Sequence, residues 1–287
     1  MKNLTDQLKK TVVFIGEADG SGKVKINPQS NEPMYFATGM LMNVNDTFHL
    51  ITAKHVVVKK AADGRLTNEI QDENLSLFFN LKTGGIASRS IKEIKSTFKV
   101  EWIFHENSDI DIAIIPFGLN EKTDDVKTLQ KELFYEDEIA ELLDVFYLAY
   151  QPGTKHINRI SPIFRVGTIS LINEDETFYI DGSAFPGNSG CPVFIKPSVS
   201  RYDKDGNWKL GGDSIGGKFL GIVGEYLPYV DVAFSMQTNR ARVRFEENTS
   251  LSKIWPIKFI DEIIASEDFI KQSERFKVEE AKEKVGI

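Results

Sequence analysis

Between about residues 34 and 245 the chain repeats one pattern. Short runs rich in β-branched and aromatic residues are separated by Gly, Asn, Asp and Pro, as in Leu50-Ile51-Thr52, Ile112-Ala113-Ile114-Ile115 and Phe146-Tyr147-Leu148-Ala149. Runs of this length bounded by turn residues predict many short strands and an all-β domain of barrel type. Two segments break the rhythm. Residues 119–143 are acidic, with apolar positions at Val126, Leu129, Leu133, Phe134, Ile139, Leu142 and Leu143, which predicts a helical connection. Residues 246–287 carry Ile260, Ile263, Ile264, Phe269, Ile270 and Phe276 among many charges, which predicts a C-terminal helix docked on the second β unit and then fraying. The expected organisation is an N-terminal extension (1–33), a first β unit (34–118), the helical connection (119–143), a second β unit (144–245) and the helical tail (246–287).

With 287 residues, 41% of them hydrophobic, the chain is long enough to bury two cores of ordinary domain size. A net charge of −7, from 42 acidic and 35 basic residues, sets a field that repels nucleic acid and anionic membranes, so neither is an expected partner. Arg240-Ala241-Arg242-Val243-Arg244 is the one dense cationic run. Alternation puts its arginines on one strand face, where Glu246 and Glu247 are expected to pair with them. A single cysteine excludes an intrachain disulfide and suits a reducing compartment. The N-terminus has a charged start and only a short apolar run, Thr11 to Gly16, unlike a signal peptide. No stretch reaches the ~20 apolar residues that cross a bilayer, so a cytoplasmic protein is expected.

The chemistry concentrates in three segments. Phe185-Pro186-Gly187-Asn188-Ser189-Gly190-Cys191-Pro192 frames a serine with glycines; His55 ends the run Leu50 to Val57; Asp111 opens another apolar run, with Asp109 two residues before it on the same strand face. A serine hydroxyl is a weak nucleophile until a base takes its proton, and an imidazole is an effective base when a carboxylate fixes its tautomer. The turn Gly187-Asn188-Ser189 is the candidate oxyanion hole, with the Gly187 and Ser189 N–H groups as donors to the oxygen of a tetrahedral intermediate. Other patterns fail. Asp203 to Asn207 resembles a calcium loop but misplaces its glycine and has Ser214 where glutamate is needed, so a hairpin turn is expected there. His49, His105 and His156 make no metal spacing and are expected to be structural, and neither a metal nor a cofactor is implied.

Thr52-Ala53-Lys54-His55-Val56, Asp111-Ile112-Ala113 and Gly187-Asn188-Ser189-Gly190-Cys191-Pro192, in that order and at intervals of 56 and 78 residues, resemble the motifs of the trypsin-like serine peptidases. Within that clan they are most similar to the disulfide-free bacterial branch of HtrA and glutamyl endopeptidases, here without a PDZ domain. The resemblance covers about residues 34 to 240. It implies two antiparallel six-stranded barrels, a His55–Asp111–Ser189 triad, with Asp111 favoured over Asp109 by the motif, and a cleft between the barrels. It also implies that Met34 to Met42 begins the first barrel, that Phe146 to Gly153 opens the second and that Asp231 to Met236 closes it. The substrate pocket is expected to be walled by Ser183, Ala184 and Phe185 and by Gly224, Glu225 and Tyr226. Tyr226 would narrow it to a small or medium apolar side chain. Asn188 replaces the aspartate that receives a freed N-terminus in digestive enzymes, and Cys191 stands where a glycine is usual and is expected to pack. A serine endopeptidase acting on a protein or peptide, regulated or narrow in specificity, is the expected function. A latent binding or regulatory module of the same fold and a serine esterase are the rivals.

Overall fold

The computed structural model describes residues 4–61, 65–135, 139–154, 156, 158–202, 205, 207–210 and 217–285. The first unit holds helix α1 (Leu4–Lys9) and strands β1 (Val12–Glu17), β2 (Tyr35–Val44), β3 (Thr47–Thr52), β4 (Val58–Lys60), β5 (Leu66–Ile70), β6 (Leu75–Asn80) and β7 (Ile86–Ser90). Helix α2 (Ile91–Phe98) follows, then β8 (Ile103–Phe104), β9 (Ala113–Pro116) and β10 (Leu129–Gln130). The second unit holds β11 (Asp144–Ala149), β12 (Ile163–Ile172), β13 (Phe178–Asp181), β14 (Pro192–Ile195), the hairpin β15 (Ser200–Tyr202) and β16 (Trp208–Leu210), β17 (Phe219–Phe234) and β18 (Ala241–Pro256). Helices α3 (Ile257–Ala265) and α4 (Glu267–Val285) end the described chain. The protein is all-β, and among the described residues no helix is long and apolar enough to cross a membrane.

The second unit closes into a barrel of six strands in the order β11-β12-β13-β18-β17-β14. The first does not match its expected six: its sheet runs β7-β6-β1-β2-β3-β9-β8, with β10 added parallel to β2. It also starts earlier than residue 34. The run Val12-Val13-Phe14-Ile15 is buried throughout and pairs with β2 on one edge and β6 on the other. A continuous apolar run suits a strand covered on both faces. Phe14 lies in the core shared by the two units, and Val13 and Ile15 lie in the first unit's own core.

The connection 119–143 is not helical where it is described. It is mostly irregular, with β10 and one 3₁₀ turn at Lys131–Leu133. A helix would gather its apolar residues on one face, but here they serve three cores. Val126 packs on the first unit, Leu129 and Phe134 enter the shared core, and Ile139 and Leu143 reach the closed barrel. Residues 136–138 of this segment lie outside the described residues. The barrel's last strand also differs from expectation. Asp231 to Met236 does not close it; Leu251 to Ile254 of β18 does, by pairing with β13. Beyond Tyr226, β17 and β18 pair only with each other as an exposed two-stranded arm that reaches Phe234 and Ala241.

Helix α2 was not expected, although Ser90 caps it by accepting from the Glu93 N–H and Ile91, Ile94 and Phe98 bury one face. Helix α3 packs its Ile257, Phe259, Ile260 and Ile263 into the shared core. Helix α4 then docks on the first unit instead of fraying. Phe269 stacks on His49 at 4.5 Å, Phe276 meets Phe98 at 4.6 Å, and Lys277 Nζ donates to the Asn45 carbonyl at 2.7 Å. Residues 203, 204 and 206 of the possible calcium loop lie outside the described residues; the flanking β15 and β16 pair antiparallel.

Candidate active site

His55 sits in a 3₁₀ turn, Lys54–Val56, directly after β3; Asp111 lies just before β9, the strand that pairs with β3. Register therefore brings the two residues together. The Asp111 carboxylate accepts the His55 backbone N–H at 2.7 Å through Oδ1 and faces Nδ1 at 2.7 Å through Oδ2. Since a carboxylate only accepts, Nδ1 carries the proton, and Nε2 is left to accept from Ser189 Oγ at 2.9 Å. Asp109 stands apart: it is exposed, and its N–H donates to the Asn107 side chain.

The serine loop is held from both units. Its Phe185-Pro186-Gly187-Asn188 segment closes a turn through Asn188 N–H to the Phe185 carbonyl at 2.9 Å, with Gly187 at φ +96°. Proline second and a positive-φ glycine third make this a type II turn. A Cβ on Gly187 would also fall 2.6 Å from the Tyr150 ring. Asn188 does not serve as the third donor of the turn. Its N–H is already bonded, and its buried amide accepts from the Phe185 N–H at 3.0 Å and donates to the Tyr150 carbonyl. Asn188 therefore pins the turn. Among the described residues, neither the Gly187 nor the Ser189 N–H donates to a protein acceptor.

Thr38 of β2 was read from the sequence, with Gly39, only as part of the first barrel strands and given no role at the site. Its N–H donates to the Ser189 carbonyl at 3.0 Å, its hydroxyl donates to the Gly187 carbonyl at 2.8 Å, and the same oxygen accepts from the Tyr150 N–H at 3.1 Å. Gly190 lies against this junction at φ +81°, where a Cβ would sit 2.4 Å from both the Thr38 carbonyl and Thr52 Oγ1. Cys191 is buried in the barrel core, and burial pushes its thiol up, as a packing residue requires.

A cavity of about 310 Å³ opens on His55 and Ser189 and is lined by Ala184, Phe185, Gly224, Glu225 and Tyr226. Ser183 is the exception. Its hydroxyl bonds to Ser250 Oγ at 2.9 Å, its carbonyl accepts from Tyr147 OH at 2.8 Å, and it lines a different hollow. Residue alternation turns it away from its neighbour Ala184. The sequence also missed Arg244 and Glu246, which enter the cavity from the arm. Tyr226 OH donates to Glu246 at 2.5 Å, and Arg244 lies 3.5 Å from the same carboxylate. That hydrogen bond to Glu246, with burial and the carboxylate's charge, raises the Tyr226 phenol above its usual value. The signal was the alternation Arg242-Val243-Arg244-Phe245-Glu246, which puts both charged residues on one face. Past Ile222, strand β14 no longer covers β17, so Gly224 to Tyr226 keep one free edge.

The other histidines are structural. His49 is fully buried between the Thr47 carbonyl and Ser273 Oγ, each at 3.0 Å, His105 meets Glu262 at 2.7 Å, and His156 meets Thr154 Oγ1 at 2.6 Å.

No protein-family model matches the chain, and no curated protein matches it in sequence. Among solved structures, it is similar to the serine endoprotease from Yersinia pestis, at 13% identity over 92% of this chain and 68% of that one, with a TM-score of 0.43. It is also similar to catalytically active tobacco etch virus protease complexed with product, at 11% identity over 93% and 82% of the two chains, with a TM-score of 0.46. The roles of His55, Asp111 and Ser189 rest on distances within this chain.

Proposed function

We propose that this protein is a serine endopeptidase. The observation that carries the reading is the unbroken chain from the Asp111 carboxylate through both nitrogens of His55 to Ser189 Oγ, at 2.7 and 2.9 Å. In this reading Ser189 Oγ attacks the peptide carbonyl while His55 Nε2 takes its proton, and Asp111 stabilises the imidazolium. The carbonyl oxygen, now negative, accepts from the free N–H groups of Gly187 and Ser189, each worth roughly 2.7–4 kcal/mol in the transition state. His55 returns the proton to the leaving amine, and an acyl ester forms on Ser189. Water, deprotonated by His55, then releases the acid and restores the serine.

The free edge of β17 at Gly224 to Tyr226 favours a peptide over a simple ester, because an extended chain can add there as a strand. The Tyr226–Glu246 pair narrows the cavity beside Ser189 and suits a small or medium apolar side chain before the scissile bond.

The test is labelling of wild type and Ser189→Ala with a fluorophosphonate, which reports an activated serine without knowledge of the substrate. Labelling of wild type alone is the expected result, and absence of labelling in both overturns the reading. Peptide-library cleavage by the same preparations reads the pocket, and a preference for Arg or Lys would refute its proposed size and polarity.

A further inference from the structure

We infer that Lys54, the residue immediately before His55, is a positioning residue for the triad: its ammonium ties the segment that delivers Asp111 to the turn that carries His55. This rests on the serine peptidase reading. The side chain is only 1% exposed, and its Nζ donates to the Ser108 carbonyl at 3.1 Å and lies 5.2 Å from the centre of the Phe104 ring. Ser108 belongs to the loop between β8 and β9 that ends in Asp111, so one side chain spans the base-bearing and acid-bearing segments.

A lysine is almost never fully buried unless it is compensated, and an apolar side chain would fill the same space without the loss of hydration. The compensation comes from Asp111 and Asp109 of the same loop. Burial draws the Lys54 ammonium below its ordinary value, and those two carboxylates oppose that effect. Asp111, itself buried, in turn holds the imidazole.

The experiment compares wild type, Lys54→Met and Lys54→Gln. The glutamine keeps a donor for the Ser108 carbonyl but no charge. Fluorophosphonate labelling rates are measured from pH 5 to 9, with thermal midpoints as the folding control. Both variants are expected to label more slowly than wild type, Lys54→Met by about three- to tenfold and Lys54→Gln, which keeps a shorter donor, by less, with Lys54→Gln retaining the higher thermal midpoint. Should Lys54→Met fail to fold, Lys54→Gln alone carries the comparison. In a Ser189→Ala background, the NMR shift of the His55 Nδ1 proton reads the loosening of its bond to Asp111 without any activity, which separates failure of this inference from failure of the peptidase reading. Unchanged labelling and an unchanged Nδ1 proton shift in the folded variants would overturn the role of Lys54.

Discussion

Thr38 gives its polar atoms to segments more than a hundred residues away in sequence. Its N–H and hydroxyl hold the carbonyls on either side of Asn188, and its hydroxyl oxygen also receives the Tyr150 N–H. Thr38→Val keeps the shape and removes the hydroxyl, leaving the Gly187 carbonyl and the Tyr150 N–H unpaired. An unpaired buried group costs about 1–3 kcal/mol, so urea denaturation should show a loss of that order, with slower fluorophosphonate labelling at constant fold. A variant as stable and as reactive as wild type would remove Thr38 from the site's support. The grouping of His55, Asp111 and Ser189 was legible at this scale because the proposed acyl transfer demands particular side-chain types and the surrounding motifs are specific. Thr38 was not, because a strand threonine has no local sign of a partner that only the docking of two units creates. Ser183 was misread for a related reason: adjacent residues in extended chain face opposite ways, and the sequence alone does not say which of them faces the cavity.

Elements were legible where one periodicity served one core. The strands of the closed barrel fit that condition, but residues 119–143 do not, since their apolar residues divide among three cores. Helix α2 did carry signals, a Ser90-Ile91-Lys92-Glu93 capping box and apolar residues at Ile91, Ile94 and Phe98, masked by the β pattern on both sides. Helix α4 was expected to fray because few of its positions are apolar, yet Phe269 and Phe276 anchor it. His49 beneath it makes its docking sensitive to pH. Burial first, with a smaller contribution from Lys277, pulls this imidazole down to about 4 from 6.5, while the Thr47 carbonyl acts in the opposite direction. Between those values the unfolded chain binds a proton that the folded one does not. Stability therefore declines as pH falls from 6.5 towards 4, by roughly 1.4 kcal/mol per unit. Denaturation at pH 7, 6 and 5 should show a flatter dependence for His49→Gln than for wild type. Parallel slopes in the two proteins would refute the assignment.

At the scale of the whole molecule, His55 and Asp111 come from the first unit and Ser189 from the second, with Gly190 pressed against Thr38 and Thr52 where they meet. Two β units were legible as repeated short runs, but the route of the chain between them was not. That route runs from the first unit to the second and back, since α3 packs beside β17 and β18 and α4 beside α2 and β9. Deleting residues from Glu267 onward uncovers the surfaces under Phe269 and Phe276, each worth roughly 1.5–3 kcal/mol of burial. The truncated protein should melt at a lower temperature and label more slowly even where circular dichroism shows the strands intact. Unaltered labelling would mean that the two units stay in register without the helix.

The return of α4 makes the chain a clasp: its tail reaches back to the half where it began. On the proposed reading, labelling of Ser189 then doubles as a gauge of whether the clasp is shut, and a ligand that prised α4 from Phe98 and His49 would slow it without entering the cleft.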